Sequence, residues 1–158
     1  MFNFLKRKIN VVLLNGACMP SKAHKDDAGF DLYVPAGLPD GQIEIDCNAP
    51  VTISTQLRVE IPKGYVGLVM PRSSMSRRGL VTFIGVIDSG YTGVIQICMQ
   101  NINQKEKAYV YSGERIAQLV IVPIAKFGLV EVDFIAETER GNGGFGSTGK
   151  WVMNTHIG

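Results

Sequence analysis

Hydrophobic and polar residues alternate along much of the chain, most clearly over residues 51–61. The apolar residues of this run would share one buried face of a half-buried strand, namely Val51, Ile53, Leu57, Val59 and Ile61. Similar β-rich runs occur at residues 10–14, 30–34, 42–46, 65–70, 81–87, 93–100, 116–124 and 129–135. Turn residues rich in Pro, Asp and Gly separate them. The pattern predicts an all-β protein, either a sandwich, a jelly roll or a barrel.

Helix is a minor element in this pattern. No stretch of about 12 residues shows a helical period, and only residues 74–78, which follow Pro71, favour one short helical turn. Residues 137–149 turn abruptly polar and glycine-rich. We interpret this end of the chain as a mobile arm. The predicted organisation is one domain, with a β core at residues 1–136 and the arm at residues 137–158.

The composition indicates a compact protein with an excess of glycine. The chain has 158 residues, of which 46% are hydrophobic and 19% are charged, and 18 are glycines. A chain of this length is predicted to form one domain with a sizeable core, and its apolar fraction excludes a disordered protein. Five of the glycines lie within residues 140–149, so the arm accounts for most of the excess.

The charge pattern disfavours a nucleic-acid polymer or a membrane as partner. The formal net charge is +2, and the basic residues are scattered rather than gathered on one face. This charge pattern is still compatible with binding of a small anionic ligand. The apolar run at residues 11–14 is too short for a signal peptide, and no run approaches a membrane span. We therefore expect a cytoplasmic protein, in the host cytoplasm if it is viral.

The three cysteines, Cys18, Cys47 and Cys98, are widely separated in the sequence. They form no CxxC pair, and no pair of histidines accompanies them. The spacing supports neither a disulfide framework nor a zinc site. We expect reduced thiols, as in a cytosolic compartment.

Two short stretches carry residue types suited to phosphate chemistry. In the first, Arg72, Ser73 and Ser74 offer a guanidinium group and two hydroxyls at the end of a strand. The same residues could instead begin a helix with Ser73 as its cap. In the second, Asp88 follows an apolar run and precedes Tyr91 in a predicted hairpin over residues 85–91. There the carboxylate could deprotonate a water molecule, or it could simply favour the turn.

The glycine-rich arm carries a third candidate. Its glycines would let backbone N–H groups approach an anion, while Arg140, Ser147 and Thr148 supply side-chain donors. Phe145 would suit stacking on a ligand ring, although a solvated tail is the competing interpretation. Matches to GxGxxG and GxxxxGK in this stretch are rejected, because no helix follows either of them.

Two further stretches with charged residues lie where predicted strands begin. Asp26, Asp27 and Asp31 lie within six residues, a pattern typical of a solvated turn and also compatible with the outer shell of a magnesium site. Residues 113–118 include Glu114 and would form a hairpin turn with a surface ion pair.

Taken in order, five stretches resemble the motifs of the trimeric dUTPases. They are Asp27-Ala-Gly-x-Asp-Leu32, Pro71-Arg-Ser, Gly85-Val-Ile-Asp-x-x-Tyr91, Gly113-x-Arg-Ile-Ala-Gln118 and Arg140-Gly-x-Gly-Gly-Phe-Gly-Ser-Thr-Gly149. Each is weak alone, but five in this order are specific. The resemblance implies a jelly-roll-like fold and a homotrimer with shared active sites. Each site would combine motifs one, two and four from one chain, three from a second and five from a third.

The resemblance implies an enzyme that hydrolyses dUTP to dUMP and pyrophosphate, limiting uracil in DNA and supplying dUMP for dTMP synthesis. Asp88 matches the base that activates a water for attack on the α-phosphorus. Tyr91 matches the residue that packs against the deoxyribose. Uracil would be bound by backbone groups of this hairpin, including Gly85, Val86 and Ile87.

The remaining matches concern the triphosphate, the metal and the arm. The positions that match substrate contacts are Arg72, Ser73, Ser74 and Gln118, and in the arm Arg140, Gly146, Ser147 and Thr148. Phe145 matches the aromatic that covers uracil. The implied cofactor is Mg²⁺, held by the phosphates and waters without a direct protein ligand, with Asp31 in its outer shell.

Three positions depart from the usual motifs, and two other functions compete. Ser74 and Glu114 replace the usual Gly and Asp, and Gly90 stands where many relatives have a second Asp. A dCTP deaminase would need a Glu where Cys98 stands, and residues 94–101 hold no acid. A dUTP-binding regulatory module that acts through protein partners is the other alternative.

Overall fold

The computed structural model describes residues 8–104 and 106–143. Within these ranges the chain forms eleven strands and one short helix. In chain order the elements are β1 (Val11–Leu13), β2 (Gly29–Tyr33), β3 (Gln42–Ile45), β4 (Val51–Ser54), β5 (Leu57–Val59), β6 (Tyr65–Pro71), α1 (Ser73–Arg77), β7 (Leu80–Thr82), β8 (Gly85–Ile87), β9 (Gln96–Asn101), β10 (Ala108–Tyr111) and β11 (Arg115–Pro123). The predicted all-β class, with one short helix, is confirmed.

The described strands form four antiparallel sheets. The largest has the order β2-β11-β6-β8, the next has the order β4-β9-β7, and β1 pairs with β5 and β3 with β10. Most paired strands are far apart in sequence, as in jelly rolls and Greek keys. The long strand β11 lies between β2 and β6, so side chains from three distant parts of the chain meet along it.

The core is formed by aliphatic side chains contributed by most of the strands. The largest of those that are almost fully buried are Leu32, Ile45, Ile53, Leu57, Ile61, Leu80, Ile95, Ile97, Met99 and Ile116. Each buried side chain of this kind contributes about 1.5–3 kcal/mol relative to an exposed one. This core fixes the backbone of β2, β6 and β11, which position the polar side chains of the site described below.

The predicted strand over residues 51–61 is two strands rather than one. The extended backbone is interrupted at Gln56, whose φ is 57°. It is the one non-glycine residue with a positive φ among those described. Because of this turn, β4 and β5 belong to different sheets. Thr55 stabilises the break, since its hydroxyl donates to the Ile95 carbonyl at 2.8 Å. The predicted burial of Ile53, Leu57, Val59 and Ile61 is confirmed, whereas Val51 is only partly buried.

Replacing Gln56 with glycine is expected to stabilise the fold by about 0.5–1 kcal/mol. A side chain at this φ is strained, and glycine removes the strain, which outweighs loss of the Gln56 Nε2 hydrogen bond to Ser54 Oγ. Urea unfolding measures the change. The matched control is Gln42→Gly on exposed, extended β3, which should destabilise by a similar amount. Equal destabilisation by both variants would contradict the assignment of strain to Gln56.

Three other predicted elements need correction. Residues 81–87 form two strands, β7 and β8, separated at Phe83 and Ile84. The predicted hairpin turns as expected, with the Tyr91 amide donating to the Asp88 carbonyl at 3.0 Å, but β8 pairs with β6 and no described strand returns beside it. Residues 129–135 form no strand, since no described strand pairs with them. Strand β10 was not predicted.

The short helix begins one residue earlier than predicted. Ser73 is its first residue and not its cap, because Arg72 occupies the cap position with extended backbone. Arg72 makes no side-chain capping bond, since its guanidinium group is directed elsewhere. Met75 is the buried residue of α1 and anchors it to the core.

The chain divides into two units, with the boundary between Lys126 and Phe127. All the strands found in the described ranges, together with α1, lie in the first unit. In the second unit the described residues, 127–143, carry several exposed apolar side chains. Cys18, Cys47 and Cys98 are free thiols. No helix in the described ranges has the length and apolar character needed to cross a membrane.

Candidate active site

Strand β11 brings together residues from three of the predicted motifs. Gln118 lies on β11 opposite Asp31 of β2 on one side and opposite Met70 of β6 on the other. Pro71 ends β6 opposite Ala117, and Arg72 follows it directly. The antiparallel register therefore places Asp31, Arg72 and Gln118 near the same end of the sheet, where β11 begins and β6 ends.

Asp31 is a buried carboxylate held between two arginines. Arg72 Nε lies 2.9 Å from one of its oxygens and Arg115 Nε lies 3.4 Å from the other. Arg72 also donates from Nη1 to the Arg115 carbonyl at 2.9 Å. Two cations on one carboxylate leave a net charge of about +1, and each guanidinium keeps further N–H donors. The cluster is therefore suited to bind an anion.

The sequence did not single out Arg115. It was treated as part of a hairpin turn with a surface ion pair, whereas the structure places it on Asp31 beside Arg72. Its side chain is about half exposed, and its guanidinium group lies 5.9 Å from the Tyr33 ring centre. The only sequence signal for it was its place in the fourth motif, three residues before Gln118.

Gln118 braces the end of β6, since its Nε2 donates to the Pro71 carbonyl at 3.0 Å. The Gln118 side chain also explains the glycine of the first motif, since it lies against Gly29, two residues before Asp31 on β2. A Cβ at Gly29 would lie 2.4 Å from Gln118 Oε1, so any larger residue would displace the glutamine side chain. Ser73 and Ser74 lie exposed in the first turn of α1, next to Arg72.

Asp88 and Tyr91 do not join this cluster within one chain. In β8, Gly85 lies opposite Val69 and Ile87 lies opposite Gly67, so Asp88 follows at the level of Val66. Five residues of β6 separate this level from Pro71, which is about 16 Å at the rise of a strand. Asp88 is exposed at the end of β8. One chain therefore presents the two halves of the predicted site at separate places.

The Tyr91 ring has a defined position beside Asp88. Its hydroxyl donates to the Val94 carbonyl at 3.0 Å, and a Cβ at Gly93 would lie 2.4 Å from that hydroxyl. Gly93, which the sequence did not single out, lets the ring lie close to the backbone. Tyr91 is 43% exposed, so a flat group can pack against it. In β8, Val86 is exposed and Ile87 is buried.

The arm is described only in part. Arg140 is exposed, and its Nε donates to the Gly143 carbonyl at 3.3 Å. Phe145, Gly146, Ser147 and Thr148 lie outside the described residues, so their roles stay predictions.

Asp31 is the candidate outer-shell residue for a metal ion. Within residues 8–104 and 106–143, no group of three or more His, Cys, Asp or Glu side chains is placed to hold a metal ion. The two arginine contacts use one acceptor site on each oxygen of Asp31, and a carboxylate has about four. Asp31 can therefore still accept a hydrogen bond from a metal-bound water. This fits a magnesium ion that keeps its waters and binds phosphate oxygens.

Comparison with known proteins finds similarity to dUTPases over most of the chain. The family model for dUTPase matches residues 15–149. The deoxyuridine 5′-triphosphate nucleotidohydrolase of Cutibacterium acnes is 39% identical over 138 residues, which cover 85% of this chain and 88% of that protein.

Two solved structures are similar along most of the chain. A mutant dUTPase of Staphylococcus bacteriophage 80alpha with dUpNHpp has a TM-score of 0.79 and 34% identity, covering 90% of this chain and 99% of that one. A mutant dUTPase from phage phi11 of S. aureus, described with a structural Mg(II) ion, has a TM-score of 0.72 and 30% identity. The matched region covers 81% of this chain and 98% of the phage phi11 chain.

Proposed function

Because this chain belongs to the dUTPase family and is a dUTP diphosphatase, we propose that it cleaves dUTP at the α-phosphorus in active sites shared between subunits. The observation that carries the proposal is the Asp31, Arg72 and Arg115 cluster at the end of the sheet where β11 begins. Its physiological effect would be to limit uracil in DNA and to supply dUMP for dTMP synthesis.

The arginine cluster would bind the triphosphate. A nucleoside triphosphate carries about four negative charges, and they repel any incoming oxygen nucleophile unless cations offset them. Arg72 and Arg115 supply two fixed cations, held in place by Asp31. Ser73, Ser74 and Gln118 lie on either side of Arg72 and would add hydrogen-bond donors to the phosphates.

Asp88 would act as the general base. It would take a proton from a water molecule, whose oxygen then forms a bond to the α-phosphorus as the bond to the leaving pyrophosphate breaks. Tyr91 would hold the deoxyribose, and the backbone of Gly85, Val86 and Ile87 would bind uracil. Because Asp88 lies about 16 Å along the sheet from the arginine cluster, the base and the phosphate site would come from different subunits.

A homotrimer would complete each site. In the second unit the exposed apolar residues of 127–135 support self-association, since their side chains are 60–101% exposed in this chain: Phe127, Leu129, Val130, Val132, Phe134 and Ile135. Exposed apolar segments of this size mark interaction surfaces. Three copies, rather than another number, follow from the family resemblance.

Mg²⁺ and the arm would complete the bound state. Magnesium bound to the phosphate oxygens would offset charge on the triphosphate, with Asp31 hydrogen-bonded to one of its waters. Arg140, Gly146, Ser147 and Thr148 would clamp the terminal phosphate, and Phe145 would cover uracil. Closure of the arm would exclude bulk water and fix the phosphate chain for attack.

Incubation with dUTP and with dCTP tests the proposal. We expect dUMP and pyrophosphate from dUTP, dependent on Mg²⁺, and no ammonia from dCTP. Ammonia from dCTP would favour the deaminase alternative. Strand β9 does not support that alternative, because Gln96–Asn101 contains no acidic residue and Cys98 lies opposite Thr52 of β4. Binding of dUTP without products would favour the regulatory module instead.

A further inference from the structure

We infer that Arg78 and Glu114 form a positioning pair that holds helix α1, and with it the phosphate-binding residues, in register with strand β11. This inference deepens the proposed function and rests on it. Neither residue lies among the groups expected to touch substrate. Glu114 also stands where the resemblance to the family leads us to expect Asp.

Helix α1 is too short to hold its own position. It has five residues, it lacks a side-chain cap, and only Met75 is buried. Isolated helices of this length are unstable in water, so tertiary contacts must hold it in place. Ser73 and Ser74 depend on these contacts for their position relative to Gln118.

The helix is fixed at both ends to the beginning of β11. At its first end, Arg72 donates to the Arg115 carbonyl at 2.9 Å and pairs with Asp31. At its last end, Arg78 forms an ion pair with Glu114 Oε1 and donates from Nη2 to the Tyr109 carbonyl at 2.6 Å. Two arginines six positions apart therefore connect α1 to two adjacent residues, Glu114 and Arg115.

Glu114 also orders the turn that precedes β11. Its Oε2 accepts a hydrogen bond from the Tyr111 amide at 2.9 Å, and its backbone amide donates to the Tyr111 carbonyl at 2.8 Å. The Val34 amide in turn donates to the Glu114 carbonyl at 2.9 Å. One carboxylate thus connects α1, the β10–β11 turn and, through Arg115, the phosphate cluster.

The Arg78–Glu114 pair is partly shielded from solvent. The two side chains are 39% and 23% exposed, compared with 71% and 43% for the Lys107–Glu44 pair on β10 and β3. Hydrogen bonds between charged groups are stronger than neutral ones, and partial burial reduces their screening. Loss of the pair would let α1 move, and ordering it again on each binding event would weaken dUTP binding.

The test compares Arg78→Met, Glu114→Gln and the double variant in steady-state hydrolysis of dUTP. We expect each single change to raise KM about fivefold with kcat within about twofold, and the double variant to raise KM no further than Arg78→Met, because Glu114→Gln removes only the ion pair that Arg78→Met already removes. A purely electrostatic effect on the anionic substrate would predict the opposite sign for Glu114→Gln, which makes the protein more positive.

Arg77→Met is the matched control. Arg77 is the last residue of α1 and directly precedes Arg78. The substitution removes one positive charge but leaves the Arg78–Glu114 pair intact, so KM should change less than about twofold. Unchanged KM in both Arg78→Met and Glu114→Gln, a lowered KM in Glu114→Gln, or additive effects in the double variant would each overturn the inference.

Amide hydrogen exchange gives a readout that does not depend on activity. The Arg78 and Gly79 amides donate to the Met75 and Ser76 carbonyls, and their exchange should accelerate about tenfold in both single variants but not in Arg77→Met. Unchanged exchange would overturn the positioning role even in an active enzyme. If the unmodified protein failed to hydrolyse dUTP while exchange changed as expected, the proposed function would fail and the positioning role would stand.

Discussion

Replacing Asp88 with Asn is expected to lower kcat for dUTP by about 10²–10⁴-fold, the contribution typical of a general base. The Asn amide cannot accept the proton from water, although it matches the carboxylate in size. Asp88 is exposed, and its backbone carbonyl, which accepts the Tyr91 amide, is unchanged by the substitution. The variant should therefore fold normally and still bind dUTP.

Single-turnover hydrolysis and calorimetric titration with a non-hydrolysable dUTP analogue measure the two effects separately. Asp40→Asn, the same change at an exposed turn, is the matched control and should leave both values unchanged. A near-normal rate in Asp88→Asn would show that another group activates the water. Loss of binding together with turnover would instead assign Asp88 to substrate recognition.

Alternation predicted which residues are buried better than it predicted where strands end. In residues 51–61 most of the buried positions were identified, yet the break at Gln56 was not, because a positive φ at glutamine has no sequence signature comparable to glycine. Alternation indicates the face on which a side chain lies and not the sheet to which a strand belongs. Strands β4 and β5 share the pattern and belong to different sheets.

The strand predicted at residues 129–135 does not form, for a related physical reason. Its apolar residues favour a strand, but a strand also needs a partner for its backbone hydrogen bonds. None of the strands in the described ranges pairs with it, and its side chains are exposed. An apolar pattern alone therefore does not make a strand.

Within the site, motif order indicated the residues but not their grouping. Asp31, Arg72 and Gln118 meet because β11 pairs with both β2 and β6, a long-range register that the sequence does not contain. Arg115 was missed because its partner, Asp31, is 84 positions away in the sequence. The same register separates Asp88 from Arg72, which supports the shared sites proposed above.

Mixing two inactive variants is expected to restore activity if the sites are shared. Arg72→Ala removes a cation from the phosphate cluster, and Asp88→Asn removes the base. Unfolded together at equal amounts and refolded, the two chains would assemble at random. A site that takes Asp88 from one chain and Arg72 from another is then intact in about one quarter of cases. Activity should therefore rise from near zero to about a quarter of the normal value per subunit.

Mixing the unmodified chain with the double variant, Arg72→Ala and Asp88→Asn, provides the control that separates the two arrangements. Shared sites again require both intact residues from different chains, so about a quarter of sites should work. Sites contained within one chain would give about half in this control and no recovery in the first mixture. Because the two arrangements differ in both mixtures, partial refolding cannot imitate the shared-site result. Half-activity in the control with no recovery in the first mixture would place Asp88 and Arg72 in the same site of one chain, against the separation seen along β6.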